Sequence, residues 1–152
     1  MKRALVWLIL PVVCAWARRQ EAMILREGEP LTVEGWENAL RVGLRHPERV
    51  RTLVVERVPP RFPPWLRMSV NWLGWGPETT AGMALGYGIF LRADQAQRCD
   101  LLSHELVHTA QYERLGFRPF LRDYLCECLT AGYPRGELES EARRIASGVG
   151  QE

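Results

Sequence analysis

The chain has 152 residues and a formal charge of +2. That is room for one domain with one sizeable core, and too little charge to point to nucleic acid. Hydrophobic residues make up 47% and charged residues 25%, the balance of a soluble globular protein. Its cysteines, Cys14, Cys99, Cys126 and Cys128, do not read as a disulfide framework in a chain this long. Cys126 and Cys128 lack the second pair that a cysteine zinc site needs, so buried thiols are the better account.

Lys2 and Arg3 precede an uncharged apolar run from Ala4 to Ala17. The run is too short for a membrane span. It fits a signal h-region, with Ala15-Trp16-Ala17 as a cleavage site, although Pro11 and two tryptophans interrupt it. It also flows without a break into "ARRQEAMILREG", a helical stretch ending at Gly28. The plainer reading is a buried or surface-docked helix of a cytoplasmic protein. The alternative is export or membrane association through residues 4–17.

Thr32 reads as an N-cap, followed by Val33, Trp36, Leu40 and Leu44 at helical spacing until Pro47. "RTLVVERV", Arg51 to Val58, is short and β-branched and predicts a strand. "PPRFPPW" cannot be regular structure, and Pro64 opens a short apolar helix that closes at Gly74. "GWGPETTAG" is a loop. Met83 to Arg92 predicts a hairpin turning at Gly86 or Gly88. Asp94 with Gln97 resembles a capping box for the next helix, and Gly116 closes that helix as a C′ residue. Pro119 starts a helix with the stripe Leu121, Tyr124, Leu125, Cys128, and Gly132 and Pro134 end it. A last helix runs from about Glu137 to Ser147. Helices, then strands, then helices predict an α+β fold.

The stretch "LLSHELVHTAQYERLG", Leu101 to Gly116, carries the chemistry. His104-Glu105-Leu106-Val107-His108 is H-E-x-x-H. Residues i and i+4 share a helix face, so the two imidazoles can hold one Zn²⁺ at tetrahedral angles. Glu105 lies about 100° round the helix from His104 and flanks the metal without binding it. A carboxylate so placed can take a proton from a zinc-bound water. Leu101, Leu102, Leu106, Val107 and Ala110 make the helix apolar nearly all round and therefore buried. A metal would compensate the cost of burying two histidines and a glutamate there. The bland alternative is a pair of core histidines satisfied by hydrogen bonds.

With this motif the chain resembles the zincin metallopeptidases from Met83 to about Ser147: strand, H-E-x-x-H helix, then an acidic helix. It is unlike the metzincins, because Gln111 and Arg114 stand where their motif has Gly and a third His. It looks more like the gluzincins, and "HELVHTAQY" also resembles small uncharacterised bacterial zincin-like domains. The resemblance implies a third zinc ligand that is a glutamate on a later helix. It also implies an edge strand, here Gly88 to Leu91, that pairs with an extended peptide.

Three glutamates compete for that place. Glu141 falls on the apolar stripe Leu138, Ala142, Ile145, Val149, where a carboxylate needs a partner, and it is the first choice. Glu139 points away from that stripe and has a solvated role beside Arg143. Glu127 lies at the margin of its own stripe. Gluzincins often place an aspartate four residues after the ligand glutamate. Here that position is Ile145, so another group must orient the histidines. Gln111 shares the ligand face and could support a ligand, although bonding to backbone is favoured slightly. Tyr112, Tyr124 and Tyr133 are candidate oxyanion donors, and His46 reads as structural or solvated.

The sequence therefore predicts a single zincin-like domain over residues 1–152. It is read as a zinc-dependent hydrolase, a metallopeptidase of peptide or protein substrates. Zn²⁺ sits on His104, His108 and Glu141, and Glu105 is the general base. The alternative is a non-catalytic zinc-binding interaction or structural protein. Membrane-surface contact through the tryptophan-rich segments Leu5 to Trp16 and Trp65 to Trp75 is a third expectation. Substrate, physiological role and oligomeric state are not written in the sequence.

Overall fold

The computed structural model of the chain describes residues 2–60 and 80–149. The helix expected from Pro64 to Gly74 and the segment Trp65 to Trp75 lie outside the described residues. The fold is α+β, with five helices among the described residues and a four-stranded mixed sheet.

Helix α1 spans Lys2–Glu27 and runs through Pro11 without a break. It ends where the Gly28 amide bonds to the Ile24 carbonyl at 2.7 Å. The apolar run and the stretch after it are thus one helix. No helix of the described residues is long and apolar enough to cross a membrane. Strand β1 is the short pair Glu29–Pro30. Helix α2, Val33–Arg41, starts as its sequence predicts: the Thr32 hydroxyl accepts from the Gly35 amide at 3.1 Å. After a 3₁₀ turn at Pro47–Arg49 come β2 (Arg51–Val55), β3 (Gly82–Leu85) and β4 (Gly88–Arg92). The hairpin between β3 and β4 turns at Gly86, whose φ of +63° few side-chain-bearing residues adopt. A Cβ there would also collide with the Glu21 carboxylate.

The sheet order is β1-β2-β4-β3. β1 and β2 are antiparallel, β2 and β4 parallel, and β3 and β4 antiparallel, with Leu53 opposite Phe90 and Ala84 opposite Ile89. Successive side chains of β4 go to opposite faces. Phe90 joins Val6, Leu10, Val13, Ala17 and Ile24 of α1, while Ile89 and Leu91 pack with Leu106 and Val107. β4 is therefore an interior strand buried on both faces. The sequence expectation of an edge strand at Gly88 to Leu91 is corrected: among the described strands the edges are β1 and β3.

Three helices complete the chain: α3 (Cys99–Leu115), α4 (Phe117–Thr130) and α5 (Glu137–Val149). Gly116, with φ +91°, separates α3 from α4. The capping box expected at Asp94 and Gln97 does not form. Helix α3 begins at Cys99 with Arg98 as an N-cap whose side chain makes no capping bond, and the Asp94 carboxylate is held by Arg92 at 2.6 Å. All four cysteines are free thiols.

Candidate metal centre

Helix α3 places His104 and His108 one turn apart, with their Nε2 atoms separated by 3.1 Å. The third donor comes from the first turn of α5. Glu139 sets Oε2 at 3.3 Å from His104 Nε2 and Oε1 at 3.3 Å from His108 Nε2. One ligand atom from each residue lies within 4.8 Å of the others, and the three could hold a metal ion. Tetrahedral zinc with bonds of about 2.0–2.1 Å puts its ligand atoms about 3.3 Å apart, so the observed spacings suit such an ion.

The ligand atoms are oriented by their neighbours. The Tyr124 hydroxyl donates to Glu139 Oε1 at 2.5 Å. Gln111 is 1% exposed. Its amide NH₂ donates to the Leu138 carbonyl at 3.0 Å and to Glu141 Oε2 at 2.7 Å. Those two acceptors fix which way round the amide lies, so its oxygen faces His108 Nδ1 at 2.8 Å. An amide oxygen only accepts, so Nδ1 carries the proton and the Nε2 lone pair is left for the centre. Gln111 is thus the group that orients a histidine in place of the missing aspartate.

Charge is balanced across the centre. Burial opposes an ionised Glu139, but hydrogen bonds from His104 and His108, the charge of His108 and the Tyr124 hydroxyl together hold its carboxyl below the usual range. Burial likewise opposes charge on His108, yet Glu139, Glu105 and Gln111 raise its pKa above the ordinary value.

No protein-family model, curated protein or solved structure matches this chain.

What the centre can do follows from its surroundings. Glu105 is buried against the strand β3. The Ala84 backbone amide bonds to its carboxylate. A Cβ at Gly82 would stand 2.7 Å from Glu105 Oε1, so a side chain there would have to displace the carboxylate. Burial raises the Glu105 pKa, and the two imidazoles pull it back in part. Two cavities meet here. One, lined by Val13, Trp16, Leu85, Phe120 and Leu121, runs into the apolar core from the histidines. The other opens along Thr80, Gly82, Leu101 and Arg143. Tyr133 lines both. Its pKa is raised to about 12 by burial and by Glu139 and Glu105.

The structure brings together His104, Glu105 and His108 as expected, but not Glu141. That carboxylate is turned to the opposite side of Gln111, where Arg114 holds both its oxygens at 2.8 and 2.9 Å. Its partner is an arginine, and the carboxylate that stands with the two histidines is Glu139 rather than the first-choice Glu141. The reason is helical phase. The buried face of α5 is Leu138, Glu139, Ala142 and Ala146. The larger Ile145 and Val149 lie at its margin, and reading the stripe through them rotates it towards Glu141. The small residues Ala142 and Ala146 were the signal for the true face. Glu127 has a third role: its Oε2 accepts from the Leu138 amide at 3.0 Å and caps α5. Among the tyrosines, Tyr112 is packed against Phe117 and Phe120 in the core, and Tyr124 is committed to Glu139. His46 bonds to Glu48 in an exposed loop, away from the centre.

Proposed function

We propose that the chain is a zinc-dependent hydrolase, a metallopeptidase that holds zinc on His104, His108 and Glu139 and uses Glu105 as general base. The observation that carries this reading is the convergence of three donor atoms beside a buried carboxylate that none of them needs as a ligand. A purely structural site has no use for that extra carboxylate. Zinc, when bound, supplies Lewis acidity and brings the pKa of a water to about 7. Glu105 would accept a proton from the attacking water and return it to the leaving amine. Its raised pKa suits the relay, because the carboxyl can hold a proton between the two steps. Tyr133, protonated at neutral pH, donates to the oxyanion from the wall of the cleft. The edge strand β3 offers backbone groups to an extended peptide.

Elemental analysis of the purified protein and cleavage of a broad peptide library test the reading together. Wild type is expected to carry about one zinc per chain. Glu105→Gln is expected to keep that zinc and lose cleavage by about 10²–10⁴-fold, since an amide keeps the shape but takes no proton. A protein that holds no transition metal even after zinc is offered overturns the metal centre. A protein that holds zinc and cleaves no peptide in the library is instead a zinc-binding interaction or structural protein.

A further inference from the structure

Helix α1 has two apolar faces, and the fold uses one. Val6, Leu10, Val13, Ala17 and Ile24 are buried against the sheet and α4. On the outward side Leu5 is 44% exposed, Leu8 76% and Val12 45%, large side chains that monomeric proteins seldom gather in one place, and Trp7, 55% exposed, stands about 100° round the helix from Leu8 at the margin of that side. Leu8, Val12, Ala15 and Arg19 follow at helical spacing, so a line along the outer face passes from apolar to basic.

The charge around this face has one sign. The sequence from residue 2 to residue 20 holds Lys2, Arg3, Arg18 and Arg19 and no acidic residue. The Arg18 guanidinium lies 3.7 Å from the Phe117 ring centre and 2.9 Å from the buried Glu21. The exposed Arg118 of α4 stands near enough for its charge to act on Cys14.

We propose that the outward face of α1 docks on an anionic membrane surface, with Leu5, Leu8 and Val12 in the interfacial layer, Trp7 at its margin and the flanking cations against lipid headgroups. No described helix is long and apolar enough to span, so the helix lies along the surface with its inner face still on the protein. Tryptophan suits that layer, having an apolar ring and one donor. A second copy of the chain is a poorer occupant. Positive charge borders the apolar stretch at both ends, so parallel and antiparallel pairing alike would set like charges together.

Co-sedimentation of the full chain with phosphatidylcholine vesicles, and with vesicles that also contain phosphatidylglycerol, tests this. The chain is expected to sediment with the anionic vesicles and to be released as salt is raised. The triple variant Leu5→Ser, Leu8→Ser, Val12→Ser is expected to lose binding. Lys2→Gln, Arg3→Gln, Arg19→Gln together should weaken it by about 100-fold, at roughly fivefold per charge. The serine positions are exposed, so circular dichroism, thermal unfolding and zinc content should stay as in wild type. The proposal is overturned if wild type stays in the supernatant with both vesicle types, or if the serine variant binds as wild type does. Vesicle-free self-association that the serine variant abolishes would also overturn it, making a second copy the occupant.

Discussion

Glu139 and Glu141 stand two residues apart on α5 and face different partners. Glu139 meets two imidazoles and a phenol, while Glu141 meets a guanidinium and an amide. Zinc affinity, measured by competition with a chromophoric chelator, should separate them. Glu139→Ala removes a donor atom and should cost the most. Gln111→Leu leaves the donors but frees His108 to turn, and should cost about 10–100-fold. Glu141→Ala should cost less than either, because the Leu138 carbonyl still holds the Gln111 amide. A larger loss at Glu141 than at Glu139 would overturn the assignment. At this scale the sequence was legible where spacing alone decides, as for His104, Glu105 and His108. It was not legible where a side chain's direction depends on the phase of a helix against its neighbour, as for Glu139. Gln111 lay between the two cases. Its place on the ligand face could be read, but not the two acceptors that turn its amide.

Among elements, α5 is fastened to α3 by a clamp beside the centre, Arg114 on Glu141. The guanidinium holds the Glu141 carboxyl below its usual range against partial burial, with the Gln111 amide adding to the effect. The folded pKa is thus below the unfolded one, so the stabilisation is full above the ordinary carboxylate range and fades as pH falls through the folded value. Arg114→Met should therefore destabilise by under about 1 kcal/mol at neutral pH, since the pair is partly exposed. Urea unfolding of the two proteins should converge as pH falls well below the ordinary carboxylate range. A deficit unchanged at low pH would mean that the arginine acts by packing. The capping interactions differ in how readable they were. Thr32 caps α2 through a bond three residues along the chain, and that was readable. Glu127 caps α5 from a different helix, which no local pattern reveals. Asp94 had the right spacing for a box, but Arg92, two residues earlier, takes its carboxylate.

For the molecule as a whole, the centre joins the motif helix to the last helix, so metal should act as a staple. With free zinc about 100-fold above its dissociation constant, the folded state gains about 2.7 kcal/mol. Calorimetry should then show the melting temperature falling by roughly 5–10 °C when a chelator is added. Glu139→Ala should melt at the same temperature with and without chelator. The α+β class and most of the element order were legible from periodicity. The sheet order was not, because β2 and β4 pair in parallel across a long separation that no local pattern reveals.

The position of α1 in the chain also bears on how the protein is made. Its inner face is covered by Phe90 of β4 and by Phe120, Leu121 and Leu125 of α4. Those residues follow about 80 to 110 positions behind it, and at 5–20 residues per second they arrive roughly 5–20 s later. Through that interval Val6, Leu10 and Val13 lack the cover that Phe90, Phe120, Leu121 and Leu125 give them. A ribosome-bound chain halted at Leu115 should therefore crosslink to chaperones through α1, and one extended past α5 should have withdrawn from them. Helix α1 is made well before the aromatic residues that cover it.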